Sequence, residues 1–474
     1  MGRKKNLHGS LTRREMLKYG LYGGLSAGLS GSLWLSGCAK RHREKKPNII
    51  FISIDTTRRD RCSVYGYERD TTPNLRVFAE QGASFDLAYA PAPTTGPSHA
   101  TMFTSLYIIA HGVWKNGLKL SPECDTIAEH LSAHGYQTAA VVGSFVLDSK
   151  FGYAQGFSFY DDNFDLAKAT KRPRYWRGHR VDKGFDRRAD DTTQRAISWL
   201  KKQLVPDRPF FLFVHYFDPH MSYDPPEPFL SQFAPAKDLP TELEKRFGKY
   251  DGEIAFADHE IGKLLETLGQ MGVEEDTLVV ITADHGEGLM EHDHIGHAVN
   301  IYEEAVRIPL LFRWPNHIPQ GRVLSAPVEL VDLTPTILDL VGIRPNSALF
   351  QGQSLVSALR GKTTPDKNRP VFLHRRYYNE GSRVGRTEVR GEKFGIRAGA
   401  WKYIDGQKKN PNELFDLSAD PQELTNLYTA FPKKAAELAS QIEEWKRLHA
   451  RAYSVRGKIS EEDLQRLKSL GYIE

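Results

Sequence analysis

Three groups of side chains in this chain are of types and spacings that could do chemistry. Asp55 ends the apolar run Asn48-Ile-Ile-Phe-Ile-Ser-Ile54, and Asp284, followed by His285, ends a second run, Thr277 to Ala283. Carboxylates at the carboxyl ends of buried strands lie where open α/β sheets bind ligands, and two of them with an adjacent histidine have the donor set of a divalent metal site. A single strand-end aspartate is also a common helix cap. The third group is Thr95-Gly96-Pro97-Ser98-His99. Pro97 suits the first turn of a helix, which puts the Thr95 hydroxyl at a positive helix N-terminus, where backbone N–H groups hold oxyanions. That hydroxyl either binds metal and attacks a phosphorus or sulfur centre, or simply caps the helix.

Histidines cluster after the same strand ends: His215 and His220 in His215-Tyr-Phe-Asp-Pro-His220, then His292, His294 and His297. They are candidate acids, bases or oxyanion contacts, although a lone histidine is more often structural. Asp218 reads as a turn residue before Pro219, with a second-metal ligand as the alternative. Arg58 and Asp60 read as braces of the first strand-end loop.

The elements that must position these groups alternate. Strands at 48–54, 138–142, 209–217, 277–283 and 308–314 are separated by helices near 72–82, 126–134, 193–202, 250–271 and 331–341, which predicts an α/β, doubly wound, mostly parallel sheet. After Pro345 the texture changes to shorter β-like runs at 371–376 and 394–404, with amphipathic helices near 433–449 and 460–470. A smaller C-terminal α+β subdomain follows from this. The basic, polar stretch 168–191 is a loop candidate near the site.

The N-terminus is of another kind. Arg13-Arg14 precede a small-residue apolar run from Tyr19 to Gly37 with six glycines, and Leu35-Ser36-Gly37-Cys38 follows the pattern of a lipobox. The pair resembles a bacterial twin-arginine export signal, and Cys38 would carry the lipid. A single membrane-spanning anchor is the alternative, weakened by the glycines and serines. The expected divisions are 1–37 signal, 38–46 tether, 47–345 catalytic domain and 346–474 C-terminal subdomain. The net charge of the chain is +5, and six basic residues against Glu15 in the signal account for it. The mature chain is therefore near neutral, and nucleic acid is excluded as a partner on charge. Beyond Cys38 only Cys62 and Cys124 occur, too few for a disulfide framework.

Taken jointly, Pro47-Asn48 to Asp55, Pro73-Asn74, Pro97-Ser98-His99-Ala100, Ala283-Asp284-His285-Gly286-Glu287, Tyr302-Glu303-Glu304 with Arg307-Ile308-Pro309, Trp401-Lys402-Tyr403 and Leu414-Phe415-Asp416-Leu417 resemble the sulfatase family of the alkaline phosphatase superfamily. The resemblance implies an alkaline phosphatase-like fold and one divalent metal ion, Mn²⁺, Zn²⁺ or Ca²⁺, held by Asp55, Asp284, His285 and the nucleophile position, Thr95. It also implies that His220 and His297 contact substrate and that His99 takes the place of the family's arginine; His215 and His294 are further substrate contacts.

In sulfatases the nucleophile position is Cys or Ser, oxidised to formylglycine. Threonine cannot become an aldehyde, so no formylglycine is expected here. Thr56 replaces the second of paired aspartates, and Val142-Gly143-Ser144-Phe145 replaces a Gly-Lys-Trp-His segment. The Asp-His metal pair is similar to that of phosphonate and phosphodiester hydrolases and phosphoglycerol transferases of the same superfamily. The expectation is a metal-dependent hydrolase of sulfate or phosphate/phosphonate esters acting through threonine on a small-molecule, glycan or lipid ester, exported to the periplasmic face of a bacterial membrane. A phosphoglycerol- or phosphoethanolamine-type transferase and a metal- or glycan-binding pseudoenzyme are the alternatives.

Overall fold

The computed structural model describes residues 46–164, 174–176, 179–181, 185–236, 240–344, 350–384 and 386–450. The expected signal, Cys38, the tether as far as residue 45, the helix near 460–470, the boundary at 345 and much of the 168–191 stretch lie outside them.

Eight strands form the main sheet: β1 (Asn48–Ile54), β2 (Ala83–Phe85), β3 (Gln137–Val142), β4 (Phe159–Asp161), β5 (Phe210–Tyr216), β6 (Thr277–Ala283), β7 (Leu310–Arg313) and β8 (Arg322–Leu324). Their spatial order is β8-β2-β7-β6-β1-β5-β3-β4. β1 is parallel to both neighbours, with Ile54 level with Ala283 of β6 and Tyr216 of β5. β7 alone runs against its neighbours β6 and β2. The fold is thus alkaline phosphatase-like, with a mostly parallel sheet. No crossover helix intervenes between β6 and β7, so the chain returns antiparallel.

Seven helices matter here: α1 (Pro73–Glu80), α2 (Thr95–Thr104), α3 (Ile127–Ala133), α4 (Ala189–Lys202), α5 (Glu242–Gln270), α6 (Leu333–Leu340) and α7 (Pro432–His449). The sheet is covered on both faces, which is why β1 reads as an unbroken apolar run. Ile49 and Phe51 pack with α2, α3 and α6, whereas Ile50, Ile52 and Ile54 pack with α4 and α5.

Helix starts depart from expectation for identifiable reasons. α5 begins at Glu242, eight residues before the expected start, because Thr241 and Glu244 form a capping box. At α1, Thr72 occupies the N-cap but its side chain makes no capping bond. The Asp258 carboxylate from α5 takes the Asn74 and Leu75 amides instead.

The C-terminal sheet is antiparallel, formed by β9 (Val371–Val384), β10 (Thr387–Ala398), β11 (Trp401–Asp405) and β12 (Glu413–Asp416). The runs at 371–376 and 394–404 therefore belong to a much longer hairpin plus a third strand, the second run being broken by Gly399-Ala400. Phe372, Ile396, Tyr403 and Leu414 face α7. Val371, Leu373, Ile404 and Phe415 face Ile301, Ala305 and Val306 from the segment after β6.

A buried charge cluster ties that segment to the C-terminal sheet. Lys402 Nζ lies 3.1 Å from Glu303 and 2.9 Å from Glu423. Burial works against the Lys402 charge, but Glu423 and Glu303 outweigh it and raise its pKa. One ammonium cannot neutralise two carboxylates. Burial, opposed by Lys402 and aided by Glu303, accordingly pushes Glu423 up to about 8.

Because the folded pKa of Glu423 is raised, its contribution to stability is present below its unfolded value and lost as pH rises through about 8. The melting temperature should fall between pH 5 and pH 9, and Glu423→Gln should flatten that fall. Lys402→Met, which leaves two unpaired acids buried, is expected to cost about 3–5 kcal/mol in urea denaturation.

Candidate active site and metal centre

The level registers of β1 and β6 bring Asp55 and Asp284 side by side. Both are fully buried. Burial, with Asp284 and then Glu287 adding like charge, raises Asp55 well above the carboxylate range. Burial likewise raises Asp284 to about 6. Neither Asp55 oxygen has a partner in hydrogen-bond geometry, and Asp284 Oδ2 has none. Asp284 Oδ1 accepts from the Thr56 and His285 amides at 3.1 and 2.8 Å.

His285 completes the cluster. Its Nδ1 donates to the Gly286 carbonyl (2.8 Å), which leaves Nε2 as a lone pair facing Thr95 Oγ1 at 3.4 Å and one oxygen each of Asp55 and Asp284 at 3.7 Å. Burial, with His297 adding to it, lowers His285 to about 3, so the ring is neutral. A metal-ligating imidazole is normally arranged this way, the outer N–H fixed on a carbonyl. Unpartnered buried carboxylate oxygens and a neutral imidazole converging on one point fit a divalent cation.

Thr95 is the first residue of α2, after Thr94 at the N-cap, and its hydroxyl faces His285 rather than capping the helix. The backbone beside it is clamped. The Gly96 amide donates to Asn116 Oδ1 (2.7 Å), and Tyr153 Oη donates to the Gly96 carbonyl (2.9 Å). A Cβ at Gly96 would sit 2.9 Å from Asn116 Oδ1, so a side chain there would push the clamp off Thr95. The Gly96 amide is thereby committed to Asn116 and is not an oxyanion donor.

His99, His215 and Asp284 form a second grouping whose ligand atoms lie within 4.8 Å of one another. The tautomers separate it from the first. His215 Nδ1 accepts from the Gly143 amide (3.3 Å), so its neutral ring carries hydrogen on Nε2, 3.5 Å from Asp55 Oδ2. That hydrogen faces the carboxylate without reaching hydrogen-bond geometry, and the ring offers no Nε2 lone pair to a metal. His99 donates from Nδ1 to the Thr95 carbonyl (2.8 Å) and packs edge-on to Phe103, Phe213 and His215. Its ring is thereby anchored to the Thr95 main chain one turn along α2. Burial lowers both imidazoles.

The outer wall is made by His220 and His297, with ring centroids 4.9 Å apart. His220 stacks on Phe217 and donates from Nδ1 to the Met221 carbonyl. Burial, aided by His297, puts its pKa well below the usual value. His294 Nδ1 meets Thr387 Oγ1 of the long C-terminal hairpin (2.8 Å). His292 turns away from the site to Glu304 and stacks on Tyr302, so it is not a site residue. Asp218 lies beside Glu253, whose carboxyl is held well above the usual range by burial and then by Asp218, and among the described residues it belongs to neither grouping of possible metal ligands. Arg58 forks onto Asp60 and also holds the Glu287 carbonyl and Glu291, bracing the two strand-end loops together. Cys62 and Cys124 are both buried and free.

The sulfatase family model matches residues 47–343, which carry every element of this site. The chain belongs to the sulfatase family. A model described as N-sulphoglucosamine sulphohydrolase, C-terminal, matches residues 291–451. Among curated relatives, an N-acetylglucosamine-6-O-sulfatase of Bacteroides thetaiotaomicron is 27% identical over 87% of this chain and 89% of its own. Human arylsulfatase K is 26% identical over 86% and 83%. A solved protein in complex with its substrate D-glucosamine-2-N,6-O-disulfate superposes with TM-score 0.71 and 25% identity, over 87% of this chain and 100% of that one. The phosphonate monoester hydrolase of Agrobacterium radiobacter shares the fold, with TM-score 0.70 and 22% identity over 88% and 99%. This sulfatase-family chain is therefore an ester hydrolase of the alkaline phosphatase superfamily, in a family that generally binds a divalent metal.

His285→Ala should abolish bound divalent metal in the purified protein, whereas His292→Ala should retain it. Elemental analysis reads both. Metal retained by His285→Ala would remove that ring from the ligand set.

Proposed function

We propose that this chain hydrolyses sulfate esters of glycans, with Thr95 as an unmodified nucleophile and Asp55, Asp284, His285 and Thr95 as the metal ligands. One observation carries the reading: among the described residues no lysine or arginine contacts Thr95 or the ligand cluster, so cationic help there is what a metal would bring. Among the described residues, the contacts of Thr95, Asp55, Asp284 and His285 are with imidazoles, carboxylates and backbone, and burial keeps His99, His215, His220 and His285 neutral. A divalent cation there would supply Lewis-acid polarisation of the ester and ease loss of the Thr95 proton. Two carboxylates balance such an ion, so the site is near neutral and accepts a singly charged tetrahedral group better than a doubly charged one.

The relatives named for glycan sulfates support sulfate first. A phosphonate monoester or phosphodiester is the second reading, because it too is a monoanion and because Thr95 and His285 are departures that point toward phosphorus chemistry. A phosphate monoester, as a dianion, fits worst.

The residues divide the work by position. Thr95 sits at the buried floor and its hydroxyl faces Asp55, the acceptor for its proton. Attack forms a Thr95 ester as the bond from the sulfur or phosphorus to the alkoxide breaks, and the alkoxide leaves toward the mouth, where it takes a proton from water beside His220 and His297. For location, the support is sequence alone: Arg13-Arg14 and Cys38 favour a lipid-anchored protein on the periplasmic face of a bacterial membrane.

Aryl sulfate and aryl phosphonate turnover should exceed aryl phosphate monoester turnover by at least about a hundredfold in kcat/KM, or ~2.7 kcal/mol. Thr95→Ala should abolish turnover, and mass spectrometry of the quenched wild type should find the transferred group on the peptide containing Thr95. Preference for the dianion would overturn the charge argument. Turnover with an unmodified peptide would remove Thr95 as nucleophile.

A further inference from the structure

One buried carboxylate next to the site has no part in the mechanism so far. Glu287 is fully buried. Its Oε1 accepts from His297 Nδ1 at 3.2 Å and its Oε2 from Tyr223 Oη at 3.1 Å. The pairing is built by a small hairpin: Gly288 lies opposite Gly296 and Leu289 opposite Ile295, which sets residue 297 beside residue 287. A Cβ at Gly286 would collide with the Glu304 carbonyl, so the chain passes close under that segment and the Glu287 amide bonds it (3.1 Å). The Arg58 guanidinium holds the Glu287 carbonyl at 3.1 Å. Glu287 is thus fixed at backbone and side chain.

Resting on the Thr95 reading above, we propose that Glu287 is a positioning residue that fixes the tautomer of His297, making Nε2 the general base that releases the Thr95 ester. A hydrogen bond from Nδ1 to a carboxylate leaves the Nε2 lone pair directed away from Glu287, the arrangement by which a buried acid orients a catalytic imidazole. The His297 ring lies 4.8 Å from His285, one ring outward from Thr95, and its side chain is 13% exposed. In-line displacement puts the leaving alcohol opposite Thr95, toward solvent, so the water of the second step enters on the side where His297 stands.

In that step the water oxygen bonds to the sulfur or phosphorus, and its proton passes to His297 Nε2. The bond from that centre to Thr95 Oγ breaks, with the electron pair staying on Oγ. Thr95 regains its proton from Asp55, and His297 passes its own to solvent at the mouth. Tyr223 restrains the other carboxylate oxygen, so that Glu287 cannot rotate off His297.

The test is rapid-quench kinetics with 4-nitrophenyl sulfate, or 4-nitrophenyl phenylphosphonate where the panel prefers it, on wild type, Glu287→Gln, His297→Ala and Tyr223→Phe, with metal content measured for each. Glu287→Gln should keep a burst of about one nitrophenol per site, at a rate within about threefold of wild type. Steady-state release should then slow by about a hundredfold, with the Thr95 adduct accumulating. His297→Ala, at a residue that also lines the leaving-group side, should accumulate the Thr95 adduct whatever its burst rate, and added imidazole should speed release of that adduct. Tyr223→Phe, which removes only one hydroxyl, should show the same pattern at about three- to tenfold.

A Glu287→Gln protein that loses burst and turnover together, or that loses its metal, while wild type still yields the Thr95 adduct, overturns this proposal alone. Absence of adduct in every protein, wild type included, fells the Thr95 reading and this proposal with it.

Discussion

Two carboxylates leave adjacent parallel strands at the same level and are sealed from water, and the rest of the site is organised around that cost. Asp55 and Asp284 have no neighbouring lysine or arginine among their described contacts, and three of their four oxygens have no hydrogen-bond partner. Ionised carboxylates cannot stay desolvated in this way without protons or a cation. The donors nearest them are weak and fixed: the Thr56 and His285 amides on Asp284, and the His215 Nε2 hydrogen near Asp55. The main-chain carbonyl of Thr56 is in turn held by Tyr250 Oη at 2.7 Å, from the middle of the long α5 helix. A sheet register thus sets the charge problem, and a helix on the sheet's outer face holds the loop that must live with it.

Imidazoles do four different jobs around this centre, and the second nitrogen of each ring assigns the job. His285 gives its Nδ1 hydrogen to a carbonyl and turns a lone pair to the cluster. His215 accepts from an amide and turns a hydrogen to Asp55. His99 spends its Nδ1 hydrogen on the Thr95 carbonyl, within the same helix. His297 spends its own on Glu287, with its ring between those of His285 and His220. Residue type alone would make these four rings equivalent; their backbone and carboxylate partners do not.

Much of the architecture could be read from sequence because it follows from local pattern. Continuous apolar runs marked β1, β5 and β6, and the acids at the ends of β1 and β6 marked the pocket. What was missed depends on long-range register or on polar segments without a stripe. The first two turns of α5 carry capping and charge around only two apolar positions, Leu243 and Phe247. The reversed direction of β7 is a property of the connection before it, not of its own residues. His99 and His292 are chemically as plausible as His297, and only packing sets one on the Thr95 main chain and another against Tyr302. Glu287 was visible as part of the Asp284-His285-Gly286-Glu287 string, yet nothing local says that a hairpin will fold His297 back onto it.

If Thr95 is the nucleophile, as proposed, the outer wall matters more than it would beside a formylglycine. A hydrated aldehyde carries two hydroxyls on one carbon, so after one has taken the sulfuryl group the other can expel it as the aldehyde re-forms. The carbon bearing the Thr95 hydroxyl carries a methyl group in its place and has no internal way out. An ester on Thr95 must be cleared by an external nucleophile, which has to arrive from solvent opposite a fully buried floor residue and lose a proton on arrival. The floor cannot serve that need, since His285 faces the metal position and His99 and His215 are turned to Thr95 and Asp55. The mouth can, and that is where the chain has placed an imidazole whose inner nitrogen is tied to a buried carboxylate. Replacing the nucleophile moves the difficult step from the floor of the pocket to its rim.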